Sequence, residues 1–170
     1  SISLRERVIE TLAYAFVMVA LVFDFGRFSS NEINKLAAAK RHVVPDWLTN
    51  DWYLGLEKAR YDAFNRIAGP LVDHFGFVDA AIIGRLICYV ALGYAFHRLR
   101  VGLGLGWHWM IGVLVIFLTN QGFVAGGWMA GGFEAKTLAY ASLLLAIAAY
   151  SRSAPLFGAA WVGVAVSLHP

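Results

Sequence analysis

Apolar residues along this chain gather into five runs, at 8–23, 80–96, 107–124, 133–150 and 156–168. A helix that crosses a bilayer needs roughly 17–25 mostly apolar residues. The runs therefore predict about five transmembrane helices, the last of them the shortest. Residues 24–78, between the first two runs, mix polar and apolar positions. Ser29 or Ser30 can cap a helix there, with Glu32 three residues after Ser29 in the capping-box spacing. That helix is expected through 34–41, ending before Pro45, and a turn-rich stretch follows at 45–51. Next, Tyr53, Leu56, the Arg60 stem, Phe64, Ile67, Leu71 and Phe75 recur three or four apart, one face of a helix. Glu57, Lys58, Asp62, Asn65 and Arg66 occupy its other faces, and Gly69-Pro70 is expected to kink or divide it. With Trp52 and Tyr53 at its start, this helix reads as lying on a membrane surface.

Composition agrees with lipid as the solvent. The 170 residues are 59% hydrophobic and 15% charged, with mean hydropathy +0.62, whereas soluble domains carry about a quarter charged residues. A globule of this size could not hide so much apolar surface from water. Disorder, a collagen-like repeat and a disulfide scaffold are excluded by the high hydrophobicity and the single cysteine, Cys88. A net charge of +3 without a clustered basic face gives no sign of nucleic acid as a partner. The fold class expected is thus all-α integral membrane, with a loop of two juxtamembrane amphipathic helices. No cleavable signal follows the first run, and the chain starts without Met and stops just after an apolar run, as a piece of a longer protein would.

Charge in the short connections sets an orientation. Arg5 and Arg7 precede the first run, Arg98 and Arg100 follow the second, and Arg152 follows the fourth, while 125–132 has no charge. The excess of arginine in short loops places the N-terminus in the cytoplasm. Residues 24–78 and 126–134, with His169, are then extracytoplasmic.

That orientation gathers Asp24, Asp51, Asp79, Glu134, Lys136 and His169 at one face, although charges also collect at span ends simply because water begins there. Asp24 stands between Phe23 and Phe25, where partial desolvation would suit a general base, or it could hold a divalent metal; it is equally placed as a helix-ending acid beside Arg27. The glycine-rich run from Ala125 through Gly126, Gly127, Gly131 and Gly132 leads into Glu134 and Lys136 at a helix start, where the dipole favours anions. Lys136 opposes that dipole and calls for a partner or a phosphate; otherwise the run is a short hairpin. Arg85 lies six residues past Asp79, about 9 Å into its run, where it would pair, snorkel or meet a lipid phosphate. Gly102, Gly104 and Gly106 follow a membrane helix and not a strand, which rejects a dinucleotide fingerprint. Trp107-His108-Trp109 is an interfacial belt or a haem or chlorophyll ligand.

Taken together, a first span ending in an acid, Asn50-Asp51-Trp52-Tyr53 between two surface helices, Gly-Gly-Phe-Glu-Ala-Lys at 131–136 and His169-Pro170 at a helix end form a pattern. It resembles the N-terminal part of the polytopic GT-C membrane glycosyltransferases, in particular bacterial members, and the resemblance implies an inner-membrane location. It further implies transfer of a sugar from a polyprenyl-phosphate donor to an acceptor at the extracytoplasmic face, in some members with a divalent metal. On that resemblance Asp24 is the base or metal-orienting acid, Asp51 a second acid, and Glu134 lines the site. Lys136, with Arg27, Arg85 and His169, would meet the carrier phosphate. GT-C enzymes have many more spans, which further helices of the same or partner chains would supply. The competing expectations are a small accessory subunit of a membrane complex, packing through Ala139, Ala141, Ala146, Ala148 and Ala149, and a pigment- or haem-binding subunit using His97 or His108.

Overall fold

The computed structural model describes residues 2–52, 54, 61–124 and 129–169. Tyr53, Leu56, Glu57, Lys58 and Arg60 of the expected amphipathic helix, Ala125, Gly126 and Gly127 of the glycine-rich run, and Pro170 lie outside the described residues. Among those described, the chain is all-helical, with six helices and no strand.

Helix α1, Leu4–Val22, opens with a capping box: Ser3 Oγ accepts from the Glu6 amide, and the Glu6 carboxylate accepts from the Ser3 amide. Helix α2, Ser30–Val43, has Ser29 as its N-cap, its Oγ accepting from the Glu32 amide at 3.0 Å. It ends at Val44, just before Pro45, and turns occupy the following residues as expected. Helix α3, Asp62–Leu103, spans 42 residues and is broken at Gly76, whose φ of 77° and ψ of 174° are non-helical. It stops at Gly104, which takes a left-handed φ of 67° so that the next amide can reach the Arg100 carbonyl. Helices α4, Trp107–Val124, α5, Ala135–Tyr150, and α6, Pro155–Leu168, complete the bundle. Each of the five apolar runs coincides with helix.

One expectation needs correction. The surface helix and the second apolar run are the two helical segments of α3, and the break between them is at Gly76 and not at Gly69-Pro70. Pro70 sits inside helical backbone. Gly69 is there for space: a Cβ would collide with Val43 and the Ala39 carbonyl of α2. Gly76, in contrast, has a combination of φ and ψ that residues with a side chain avoid.

The core is built on α3. Tyr14 and Met18 of α1, Leu36 of α2, and Phe64, Tyr89 and Leu92 of α3 are all at 2% exposure or less. At Gly93 a Cβ would meet the backbone of Thr11 and Ala15, so α1 rests directly on α3. Phe133 fills the space above Gly84 and stands edge-on to Phe64 at 5.1 Å. The exteriors of the helices are apolar as well: Phe16, Val90, Ile116, Ile147 and Leu156 are exposed. Among the described residues one helix, α3, is long and apolar enough to cross a membrane, while α5 and α6 are shorter apolar helices. Helix α1 has apolar length after its first turns, which carry Arg5, Glu6, Arg7 and Glu10.

Candidate functional site

The 19 residues of α1 extend about 28 Å, and a polar cavity lies at each end. At its N-terminal end, Arg7, Arg98 and Arg152 line one cavity of about 530 Å³, so the three basic clusters of the short connections meet. Beside it Glu10 accepts from Arg100 and lies 2.8 Å from His97 Nδ1, which ties α1 to α3. His97 is 2% exposed and committed to this cluster, whereas His108 is exposed between Trp107 and Trp109.

At the other end of α1 is a larger cavity, about 1000 Å³. Five of the seven residues that the resemblance assigns to the site line it: Asp24, Arg27, Arg85, Glu134 and Lys136. Leu21, Phe25, Phe28 and Leu118 supply apolar wall, and Ser29 and Gly132 complete the polar side. The cavity thus draws on the loop after α1, the start of α2, the middle of α3, and the approach to α5.

Arg85 holds these pieces together. It is 1% exposed and forks onto the Glu32 carboxylate, with Nε at 2.9 Å from Oε1 and Nη2 at 2.5 Å from Oε2. Its Nη1 donates to the Asp24 carbonyl and Nη2 also to the Arg27 carbonyl at 2.7 Å. Phe28 and Phe23 lie 5.0 and 5.8 Å from the guanidinium carbon. Four of its five N–H donors are therefore spent on the protein, and of its three sequence readings the structure realises pairing. Glu32, fully buried, also accepts from the Phe133 amide at 2.7 Å, which fixes the loop that delivers Glu134.

Glu32 is the residue the sequence reading missed. It was visible only as a capping partner; its amide does meet Ser29, but its side chain turns inward to Arg85. The signal available was Arg85 itself: an arginine deep in an apolar run requires an acid from another element. Gln121 is a second omission. Its buried amide accepts from Met129 and Ala130 and donates to the Ala130 carbonyl, pinning the end of the glycine-rich run.

Glu134 is 7% exposed and bridges Ser29 Oγ at 3.2 Å and Lys136 Nζ at 3.1 Å. Lys136 thus has a protein partner while one side stays open to the cavity. Glu134 is the N-cap position of α5, but its side chain makes no capping bond. Asp24 is less enclosed than its phenylalanine neighbours suggested: Phe23 and Phe25 pack on each other at 4.5 Å, and the carboxylate is half exposed. It accepts from the Gly26 amide at 2.9 Å and stands 3.7 Å from Arg27, itself almost fully exposed.

Asp51 and His169 are not among the residues that line the cavity. Asp51 accepts from the Leu54 amide at 3.0 Å, and its carbonyl accepts from Arg41. His169 ends α6 with its ring 5.5 Å from Tyr61. Among the described residues no three His, Cys, Asp or Glu side chains gather as a metal centre requires. With Arg27 as its ionic neighbour, Asp24 does not fit as the holder of a divalent ion. No protein-family model, no curated protein and no solved structure matches the chain.

Proposed function

We propose that the chain is the N-terminal part of a GT-C-type membrane glycosyltransferase, embedded by about five spans in a bacterial inner membrane with its N-terminus in the cytoplasm. The cavity at the end of α1 is then its extracytoplasmic reaction site. The observation that carries this reading is the make-up of that cavity: one half-exposed carboxylate, Asp24, faces the same space as Arg27 and Lys136, beside apolar walls at Leu21 and Phe25. A polyprenyl-phosphate sugar has the matching parts, an anionic phosphate between a sugar and a hydrocarbon chain.

In the step proposed, Asp24 takes the proton of the acceptor hydroxyl as its oxygen bonds to the anomeric carbon. The bond from that carbon to the carrier phosphate breaks, and the phosphate leaves with the electron pair. Lys136 and Arg27 offset the charge it gains. Arg85 and Glu32 act as positioning residues, holding the backbone of Asp24, Arg27 and Phe133 in place. Asp51 and His169 take no part in this step.

Of the five alanines that favoured an accessory subunit, four are otherwise engaged, and Ala149 is partly exposed. Ala139, Ala141, Ala146 and Ala148 are buried within this chain and offer no free face to a partner helix. The test of the transferase reading is transfer of labelled sugar from a polyprenyl-phosphate donor in membranes that contain the protein with its further helices. Asp24→Asn should abolish transfer and leave insertion intact; undiminished transfer by that variant overturns the assignment.

A further inference from the structure

The arginine end of the bundle carries a second feature. The cavity lined by Arg7, Arg98 and Arg152 adjoins another, about 450 Å³, that shares Arg98 and Arg152 with it. The second cavity is mainly apolar, walled by Leu145, Ala148, Phe157 and Trp161 from α5 and α6. Phe157 is 72% exposed, so this groove opens sideways on the apolar exterior of the bundle. Two arginines thus stand where an open greasy groove meets a basic basin.

The charges of the basin are available. Among the described residues Arg7 and Arg152 have no carboxylate partner, and Arg98 donates only to the Tyr94 hydroxyl at 3.0 Å. The opposing acid is Glu6, which is tied to the Ser3 amide; that bond and the Ser3 hydroxyl hold its carboxyl below the ordinary value. His97, also on the lining, is spent on Glu10. Three guanidiniums face one carboxylate.

We propose that this junction is a binding site for an anionic phospholipid. Its phosphate sits among Arg7, Arg98 and Arg152, and one acyl chain lies in the groove between Leu145 and Trp161. Guanidiniums match phosphate oxygens in pairs, and basic residues at a membrane face each favour anionic lipid. The apolar groove is what selects a lipid over a soluble phosphate. The site rests on the membrane part of the proposed function and is independent of any sugar transfer.

Native mass spectrometry of the full chain released from micelles tests it, after carbonate extraction has shown the chain to be inserted. Phosphatidylglycerol should be retained over phosphatidylcholine, and Arg98→Gln with Arg152→Gln should lower its affinity at least about tenfold. Trp161→Ala should weaken the lipid while leaving any binding of glycerol 3-phosphate unchanged. Equal retention of the two lipids, or glycerol 3-phosphate binding as tightly as the lipid, overturns the site. A chain extracted by carbonate overturns the membrane reading and this site with it, whereas lost transfer alone touches neither.

Discussion

Arg85 and Glu32 make the most consequential contact in the chain, because each is buried and each holds backbone as well as the other's charge. Arg85→Met leaves the Glu32 carboxylate without its counter-charge and should lower stability by about 3–5 kcal/mol. The double variant with Glu32→Leu removes both charges and should regain most of that loss. An SDS titration in micelles reads both; equal losses in the single and double variants would show that the pair is not coupled. Lys136 and Glu134 give a second contrast of sign. Lys136→Ala should weaken polyprenyl-phosphate binding roughly tenfold, the scale of one charge-assisted bond. Glu134→Gln releases Lys136 from its ion pair, so donor binding should hold or tighten. Weakened binding in both variants would remove Lys136 as the phosphate cation. The sequence displayed these charges but not their pairings. Asp24, Arg27, Glu134 and Lys136 were found because they sit at the ends of apolar runs, and Glu32 was hidden because a helix cap explains an acid at that position equally well.

Among the elements, α3 shows what hydrophobic periodicity reads and where it stops. Both of its halves were legible, one as an amphipathic stretch and the other as an apolar run. The joint was not, because a Gly-Pro pair is the stronger sequence signal for a break. Pro70 leaves its helix continuous, and Gly69 answers to the close approach of α2. At Gly76 a Cβ would meet nothing within 4 Å, so the demand there is on backbone dihedrals alone. Gly76→Ala should therefore cost about 1–3 kcal/mol through strain, and Pro70→Ala should cost little or stabilise. Thermal unfolding of the two variants decides it; the reverse order would return the hinge to Gly69-Pro70. Gly84 works differently, since a Cβ there would strike the Phe133 ring. Gly84→Ala should accordingly reduce sugar transfer without touching the cavity, by displacing the loop that carries Glu134.

For the molecule as a whole, the two cavities at opposite ends of α1 translate the charge pattern of the loops into space. Apolar runs and arginine-bearing connections were enough to anticipate that Arg7, Arg98 and Arg152 share one end and Asp24, Glu134 and Lys136 another. Asp51 and His169 escaped that logic: a place at the correct end of a span does not fix a place in the cavity. Orientation itself is open to direct measurement. Cys88 is fully buried and leaves the background silent. An impermeant maleimide should label Ser30→Cys in intact cells and reach Ser153→Cys only after the cells are opened. Labelling of Ser153→Cys from outside would invert the proposed topology.

The Arg85 knot also bears on the order in which the protein is made. Glu32 finds its guanidinium 53 residues later and the Phe133 amide 101 residues later, while Ser29 waits 105 residues for Glu134. A ribosome delivers these partners in that sequence. The acid and the arginine can neutralise each other as soon as α3 emerges, which lets a charged helix settle early. The cavity wall closes only when the start of α5 arrives, so the larger cavity is among the last parts of the chain to form during synthesis.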